Sequence, residues 1–109
     1  MSTNSTIEPL ISQLLVEDPD MRDLVEEFVD GLAIRIVELR TAFEQRDWAQ
    51  LTTLAHRLKG AGGSYGYPNL GQVASDMETA AQLHVSDRFS DWISQLQQMA
   101  QAAKAGLSS

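Results

Sequence analysis

Apolar side chains recur three or four positions apart along almost the whole chain, a spacing that places them on one face of an α-helix. The second predicted helix shows this most clearly: its stripe begins at Val25 and continues to Phe43. No stretch alternates apolar and polar residues for long enough to predict a strand. Proline and glycine interrupt the pattern at few points. The sequence therefore predicts an all-α fold.

Residues that favour helix starts and ends divide the chain into five predicted helices. The first is short, begins after a cap at Ser5 or Thr6, and runs through Ile7, Leu10, Ile11 and Leu14. The predicted starts of the second, third and fifth helices are Asp18-Pro19, Asp47 and Ser86, and Gly66-Tyr67-Pro68-Asn69 separates the third helix from the fourth. The second helix should end near Arg46, and the tail from Gly106 should be frayed.

Four long amphipathic helices with short connections predict an antiparallel up-down four-helix bundle. The short first helix would lie across one end of that bundle. The chain contains no repeats, low-complexity tracts or internal linkers. We therefore expect a single domain over residues 1–109, with its core at about 7–104.

The formal charge of −7 on 109 residues argues against nucleic acid and anionic membrane surfaces as partners. No apolar run approaches the roughly 18 residues of a membrane helix. The polar start, from Met1 to Ser5, lacks the basic flank and apolar run of a secretion signal. We therefore expect a cytoplasmic, monomeric protein, and the initial Met favours a stand-alone chain.

One segment conflicts with its own helical pattern. Four of the seven glycines lie within seven residues, in the second half of the third predicted helix, directly after His56-Arg57-Leu58-Lys59. Each glycine inside a helix costs about 1 kcal/mol relative to alanine. At 100° per residue, His56, Gly60 and Gly63 share an outward face, Lys59 lies beside them, and Gly62 points inward. Local conflicts of this kind are expected where function or close packing requires them.

This face is suited to phosphoryl transfer. A neutral imidazole is a good nucleophile, and attack on phosphorus requires a close, nearly in-line approach of the donor. Glycines beside His56 would leave room for that approach. The ammonium group of Lys59 could neutralise the phosphoryl oxygens.

The segment His56-x-Leu58-Lys59-Gly60, followed by Gly66, resembles the signature of histidine-containing phosphotransfer (HPt) domains of multistep two-component phosphorelays. The resemblance extends over roughly residues 7–100 and includes Phe28, Leu32, Leu39 through Phe43, Leu51, Ala55, Leu70, Ala74 and Met77-Glu78. Tyr65 departs from the family, which more often has an aliphatic residue there. We expect this difference to affect packing only.

The resemblance implies a phosphocarrier with His56 as the acceptor, supported by Lys59 and Gly60. It also implies partners: response-regulator receiver domains, each with a phosphorylatable aspartate and Mg²⁺, and a hybrid sensor histidine kinase. The carrier would need no cofactor or metal of its own and would have no ATP-dependent kinase activity. Partner docking would involve Ile7, Leu10, Ile11 and Leu14 of the first helix, with Gly63 and Ser64 near the histidine.

Other interpretations of these residues remain open. His56 could be an ordinary surface histidine and Lys59 a solvated charge. The chain could dock receivers or a kinase without carrying phosphate, or it could be an aspartyl-phosphate phosphatase, which would need a group to orient water. Ile34 and Val37 point outward on the second predicted helix and could contact an apolar patch of a partner. His84 lacks a lysine–glycine neighbourhood, and no function is assigned to it.

Overall fold

The computed structural model describes residues 8–108, which form five α-helices and contain no strand. A 3-10 turn, Pro19–Met21, precedes the second helix. The helices are α1 Gln13–Glu17, α2 Arg22–Glu44, α3 Trp48–Ser64, α4 Pro68–Gln82 and α5 Phe89–Ser108. The prediction of an all-α fold is confirmed.

Several predicted helix boundaries are confirmed by their hydrogen bonds. The side chain of Asp18 accepts the amide of Asp20 at the start of the 3-10 turn, and α2 follows that turn directly. Asp47 Oδ1 accepts the amide of Gln50 at 3.1 Å and caps α3. Just beyond α3, Gly66 has a φ of 86°, a conformation that side chains with a Cβ rarely adopt.

The four long helices pack as a ring: α2 contacts α3 and α5, and α4 contacts α3 and α5. Their apolar stripes meet in one core. Its largest fully buried apolar side chains are Phe89, Leu32, Leu39, Leu51, Leu58, Leu70, Met77, Leu96, Val25 and Val29. Tyr65 stacks on Phe28 with ring centroids 4.8 Å apart. In this ring the α3/α4 seam lies across the bundle from the α2/α5 seam.

The prediction for the first helix is wrong in its position. Leu10 and Ile11 precede α1, which begins at Gln13, while Ser5, Thr6 and Ile7 lie outside the described residues. Ser12 provides the cap: its hydroxyl accepts the amide of Leu15 at 3.1 Å and donates to the carbonyl of Tyr65 at 2.6 Å. The Leu10 amide donates to Ala102 of α5 at 2.9 Å. These tertiary hydrogen bonds hold the segment before α1 in a non-helical conformation.

Both ends of α5 differ from the prediction. The helix begins at Phe89, whose amide donates to the carbonyl of Ser86 at 3.1 Å, so Ser86 precedes the first turn by three residues. The tail from Gly106 is helical to Ser108 rather than frayed. Gly106 lies so close to the Leu10 carbonyl that a Cβ would clash with it, and the Arg22 guanidinium donates to the carbonyl of Leu107. These contacts order the end of α5.

Candidate functional site

His56 lies on the solvent face of α3. Its side chain is 70% exposed, whereas its neighbours Ala55 and Leu58 are buried in the core. This difference follows from the helical period, which places Ala55 and Leu58 on the inner stripe and His56 on the opposite side. The predicted exposure of the imidazole is therefore confirmed.

The imidazole ring is oriented by a carboxylate of the neighbouring helix. Nδ1 of His56 lies 2.9 Å from Oε2 of Glu78 on α4, and the Glu78 side chain is only 15% exposed. An ionised carboxylate can only accept a hydrogen bond, so Nδ1 carries the proton in this contact. In the neutral ring Nε2 then holds the lone pair. The contact thus leaves Nε2 as the ring nitrogen that is free to react.

Lys59 reaches the same carboxylate. Its Nζ lies 3.7 Å from Oε1 of Glu78, while His56 occupies Oε2. The Lys59 side chain is half exposed, so solvent screens this ion pair and its contribution to stability is small. Glu78 therefore holds the imidazole and the ammonium group close together at the surface of the α3/α4 seam.

The surface beside His56 lacks side chains, as predicted. Apart from the adjoining residues and backbone of α3 itself, no described atom lies within 4 Å of the position that a Cβ would occupy at Gly60 or Gly63. Ser64, at the end of α3, is exposed as well. A second protein could therefore approach the α3 backbone closely on the C-terminal side of His56.

Gly62 points inward and brings α3 and α4 into contact. A Cβ at Gly62 would lie 2.9 Å from the backbone nitrogen of Gly71, and one at Gly71 would lie 3.3 Å from the carbonyl oxygen of Lys59. His56 precedes Gly62 by about two turns and Glu78 follows Gly71 by about two turns, so the two helices run antiparallel. The glycine contact therefore positions Glu78 relative to His56.

Sequence reasoning missed the role of Glu78. The residue was noted only as part of the family's framework, because it lies on a different helix and no local spacing connects it to His56. One available signal was its position beside Met77, at the edge of the buried stripe of α4. A carboxylate that is mostly buried usually has a hydrogen-bonding or charged partner.

The proposed docking residues differ in their accessibility. Leu10 and Leu14 are partly buried and pack against the core, whereas Ile11 is 50% exposed. Ile7 lies outside the described residues. Val16 of α1 and Leu24, at the start of α2, are further exposed apolar side chains at the same end of the sequence.

In the range of residues 8–108, no helix is both long enough and apolar enough to cross a bilayer. Nor does the range bring together three or more histidine or acidic side chains that could hold a metal ion.

The helical domain presents His56 on an open surface, with the carboxylate of Glu78 and the ammonium group of Lys59 beside it. The chain belongs to the Hpt domain family, whose sequence model matches residues 23–106. Members of that family are known for phosphotransfer in phosphorelays. No curated protein and no solved structure matches the chain.

Proposed function

We propose that this protein is a histidine phosphocarrier of a two-component phosphorelay. Nε2 of His56 attacks the phosphoryl group of a receiver aspartate. A P–N bond forms, the P–O bond to the aspartate breaks, and its electron pair returns to the carboxylate. The reverse step with a second receiver passes the phosphoryl group on. The observation that carries this proposal is the 2.9 Å contact between His56 Nδ1 and Glu78, which leaves Nε2 free on an exposed surface.

Lys59 stabilises the transferred phosphoryl group in this proposal. Its ammonium group is paired with Glu78 before transfer, at a distance of 3.7 Å. A phosphoryl group on His56 would offer several anionic oxygens, which bind an ammonium group more strongly than a single carboxylate oxygen does. Lys59 therefore turns from Glu78 towards the phosphoryl group as charge develops there.

The partners are receiver domains and a hybrid sensor histidine kinase, and each receiver supplies the Mg²⁺. A receiver approaches over Gly60, Gly63 and Ser64, where the surface is open. The Ser12 hydroxyl bonds to Tyr65, directly after α3, so the exposed Ile11 continues the same surface. The protein acts as a cytoplasmic monomer, requires no cofactor and does not use ATP. Its four long helices form an antiparallel up-down bundle.

Incubation with a receiver domain phosphorylated with ³²P tests this function. We expect the label to move to the carrier on His56 and to be lost in acid but retained in base, as for a phosphorus–nitrogen bond. Binding of the receiver without transfer of label would favour the alternative, a docking module that carries no phosphate. A base-labile, acid-stable label on the carrier would place the phosphoryl group on another residue and contradict the proposal.

Two replacements of Glu78 distinguish the effect of its charge from the effect of its hydrogen bond to His56. In Glu78→Ala the ring loses its acceptor, so we expect phosphoryl acceptance to slow by about fivefold, which is what an interaction worth about 1 kcal/mol provides. In Glu78→Gln the amide oxygen can still accept the Nδ1 proton, so the loss should be smaller. ¹⁵N NMR of the imidazole measures the tautomer directly. A tautomer ratio unchanged in Glu78→Ala would refute the positioning role.

A further inference from the structure

The side of α2 that points away from the core carries an unusual combination of residues. We call six exposed residues the outer face of α2, each of them three or four positions from another of the six: Asp23, Glu27, Asp30, Ile34, Val37 and Glu38. The two apolar side chains are 67% and 56% exposed and have carboxylates on both sides along the helix. Apolar residues surrounded by charges are typical of protein interfaces, in which a polar rim encloses an apolar centre.

None of the four carboxylates of this face forms an ion pair within the described part of the chain, where the acids of the salt bridges are Glu26 and Glu78. Asp30 lines a pocket together with Lys104 of α5. The three arginines of α2 lie elsewhere: Arg22 pairs with Glu26, Arg35 lies over the Phe28 ring, and Arg40 lines a separate pocket with Phe43 and Glu44. The outer face of α2 therefore presents four negative charges that a cationic partner could neutralise.

A groove adjoins this face, between α2 and α5. Its volume is about 470 Å³, its floor contains the buried residues Val29 and Ile36, and Ala33 and Ala100 keep it wide. Val37 lies both on its edge and on the outer face of α2. Lys104 is the one charged side chain in its lining. Such a groove fits the ridge of side chains of another helix.

We propose that the outer face of α2 and this groove bind a cationic amphipathic helix of a partner protein. Apolar side chains of that helix would enter the groove at Val37 and cover Ile34, while its lysines and arginines would pair with the carboxylates. The α2/α5 seam lies across the bundle from the α3/α4 seam, which carries His56. A partner bound there would therefore stay attached while His56 reacts. The effective concentration of that partner near His56 would rise as a result.

The charge of the chain distinguishes this occupant from two others. A second copy also carries a formal charge of −7, so two copies would repel each other at this face. An anionic membrane surface would be repelled in the same way. A cationic helix combines the required charge with the shape of the groove.

Fluorescence anisotropy with labelled synthetic peptides tests the proposal. The probe is a Lys/Ala/Leu peptide of about 18 residues, long enough to form helix, with its leucines on one helical face. The control peptide has the same composition, but its leucines are spread around the helix. We expect the probe to bind at least about tenfold more tightly than the control, because only the probe buries its leucines together. Its affinity should fall as salt is raised.

Variants of exposed residues locate the binding surface. Ile34→Gln combined with Val37→Gln should weaken binding of the probe by about tenfold, through the loss of apolar contact. Leu83→Gln changes a residue that is 68% exposed outside this face and should leave binding unchanged. Asp30→Asn with Glu38→Gln should weaken binding, whereas Asp87→Asn should not. Phosphoryl acceptance by all of these variants should equal that of the wild type, which separates this test from that of the proposed function.

Three results would overturn the proposal. Equal affinity for probe and control peptides would show only general attraction to an acidic protein. Equal weakening by Leu83→Gln would place the contact elsewhere. The protein alone could sediment as a dimer, and Ile34→Gln with Val37→Gln could dissociate that dimer. This result would show that the outer face of α2 binds a second copy of the chain.

Discussion

Replacing His56 with glutamine is expected to abolish phosphoryl transfer to the protein while its helical fold persists. The imidazole is the only nucleophile of the proposed site, and glutamine has no nitrogen that can form a stable bond to phosphorus. The His56 side chain is 70% exposed and contributes little to the core, so its loss should change the melting temperature only slightly. Receiver-dependent labelling and a thermal melt on the same preparation measure both effects.

The second histidine provides a matched control. His84 stacks on Trp48 with ring centroids 5.2 Å apart, and the sequence around it, residues 80–88, contains neither lysine nor glycine. His84→Gln should therefore accept label at the wild-type rate. Undiminished labelling of His56→Gln would show that the acceptor is a different residue.

Replacing Gly60 with glutamine should slow transfer by about tenfold or more without destabilising the protein. A Cβ at Gly60 meets no described atom within 4 Å outside the adjoining part of α3, and glycine is a poor helix former, so the melting temperature should rise or stay level. The longer side chain would stand one turn beyond His56, where the receiver must approach, and small displacements from in-line geometry greatly reduce the rate. Transfer kinetics and thermal melts on this variant measure the two effects.

Alanine at Gly60 and at Gly62 separates the two uses of glycine in α3. Gly60→Ala should raise the stability by up to about 1 kcal/mol. Gly62→Ala should lower it, because the new Cβ would lie 2.9 Å from the Gly71 nitrogen and 3.1 Å from Leu70 Cδ2. Overpacking of this kind costs about 1–3 kcal/mol, which exceeds the gain in helix propensity.

Transfer at the wild-type rate by the Gly60→Gln variant would contradict the role of Gly60 in the approach of the receiver.

Local patterns in the sequence predict the four long helices and the exposure of His56. The helical period assigns Gly62 to the packed side of α3 and His56 to solvent, and both residues lie as predicted. Caps such as Asp47 act within one turn, so they can be recognised without knowledge of the fold. The same period also places Ile34 and Val37 outward, where both are found.

The features that the sequence did not predict depend on contacts between distant residues. The true start of α1 depends on the hydrogen bond from Ser12 to Tyr65, which lies 53 positions further along the chain. The ordered end of α5 depends on Leu10 and Arg22. Glu78 lies 22 positions after His56 and meets it only because α3 and α4 pack closely. No helical period or capping rule relates residues so far apart.

The glycine pair at the α3/α4 seam acts as a spacer for the site. Gly62 and Gly71 set how far apart the two helices stand, and the His56–Glu78 hydrogen bond spans that gap. Because N–H···O hydrogen bonds form at donor–acceptor distances of about 2.7–3.2 Å, the helix separation that the two glycines allow keeps the ring within reach of Glu78. Mutations at Gly62 or Gly71, which are buried, can therefore change the geometry of the site at the surface.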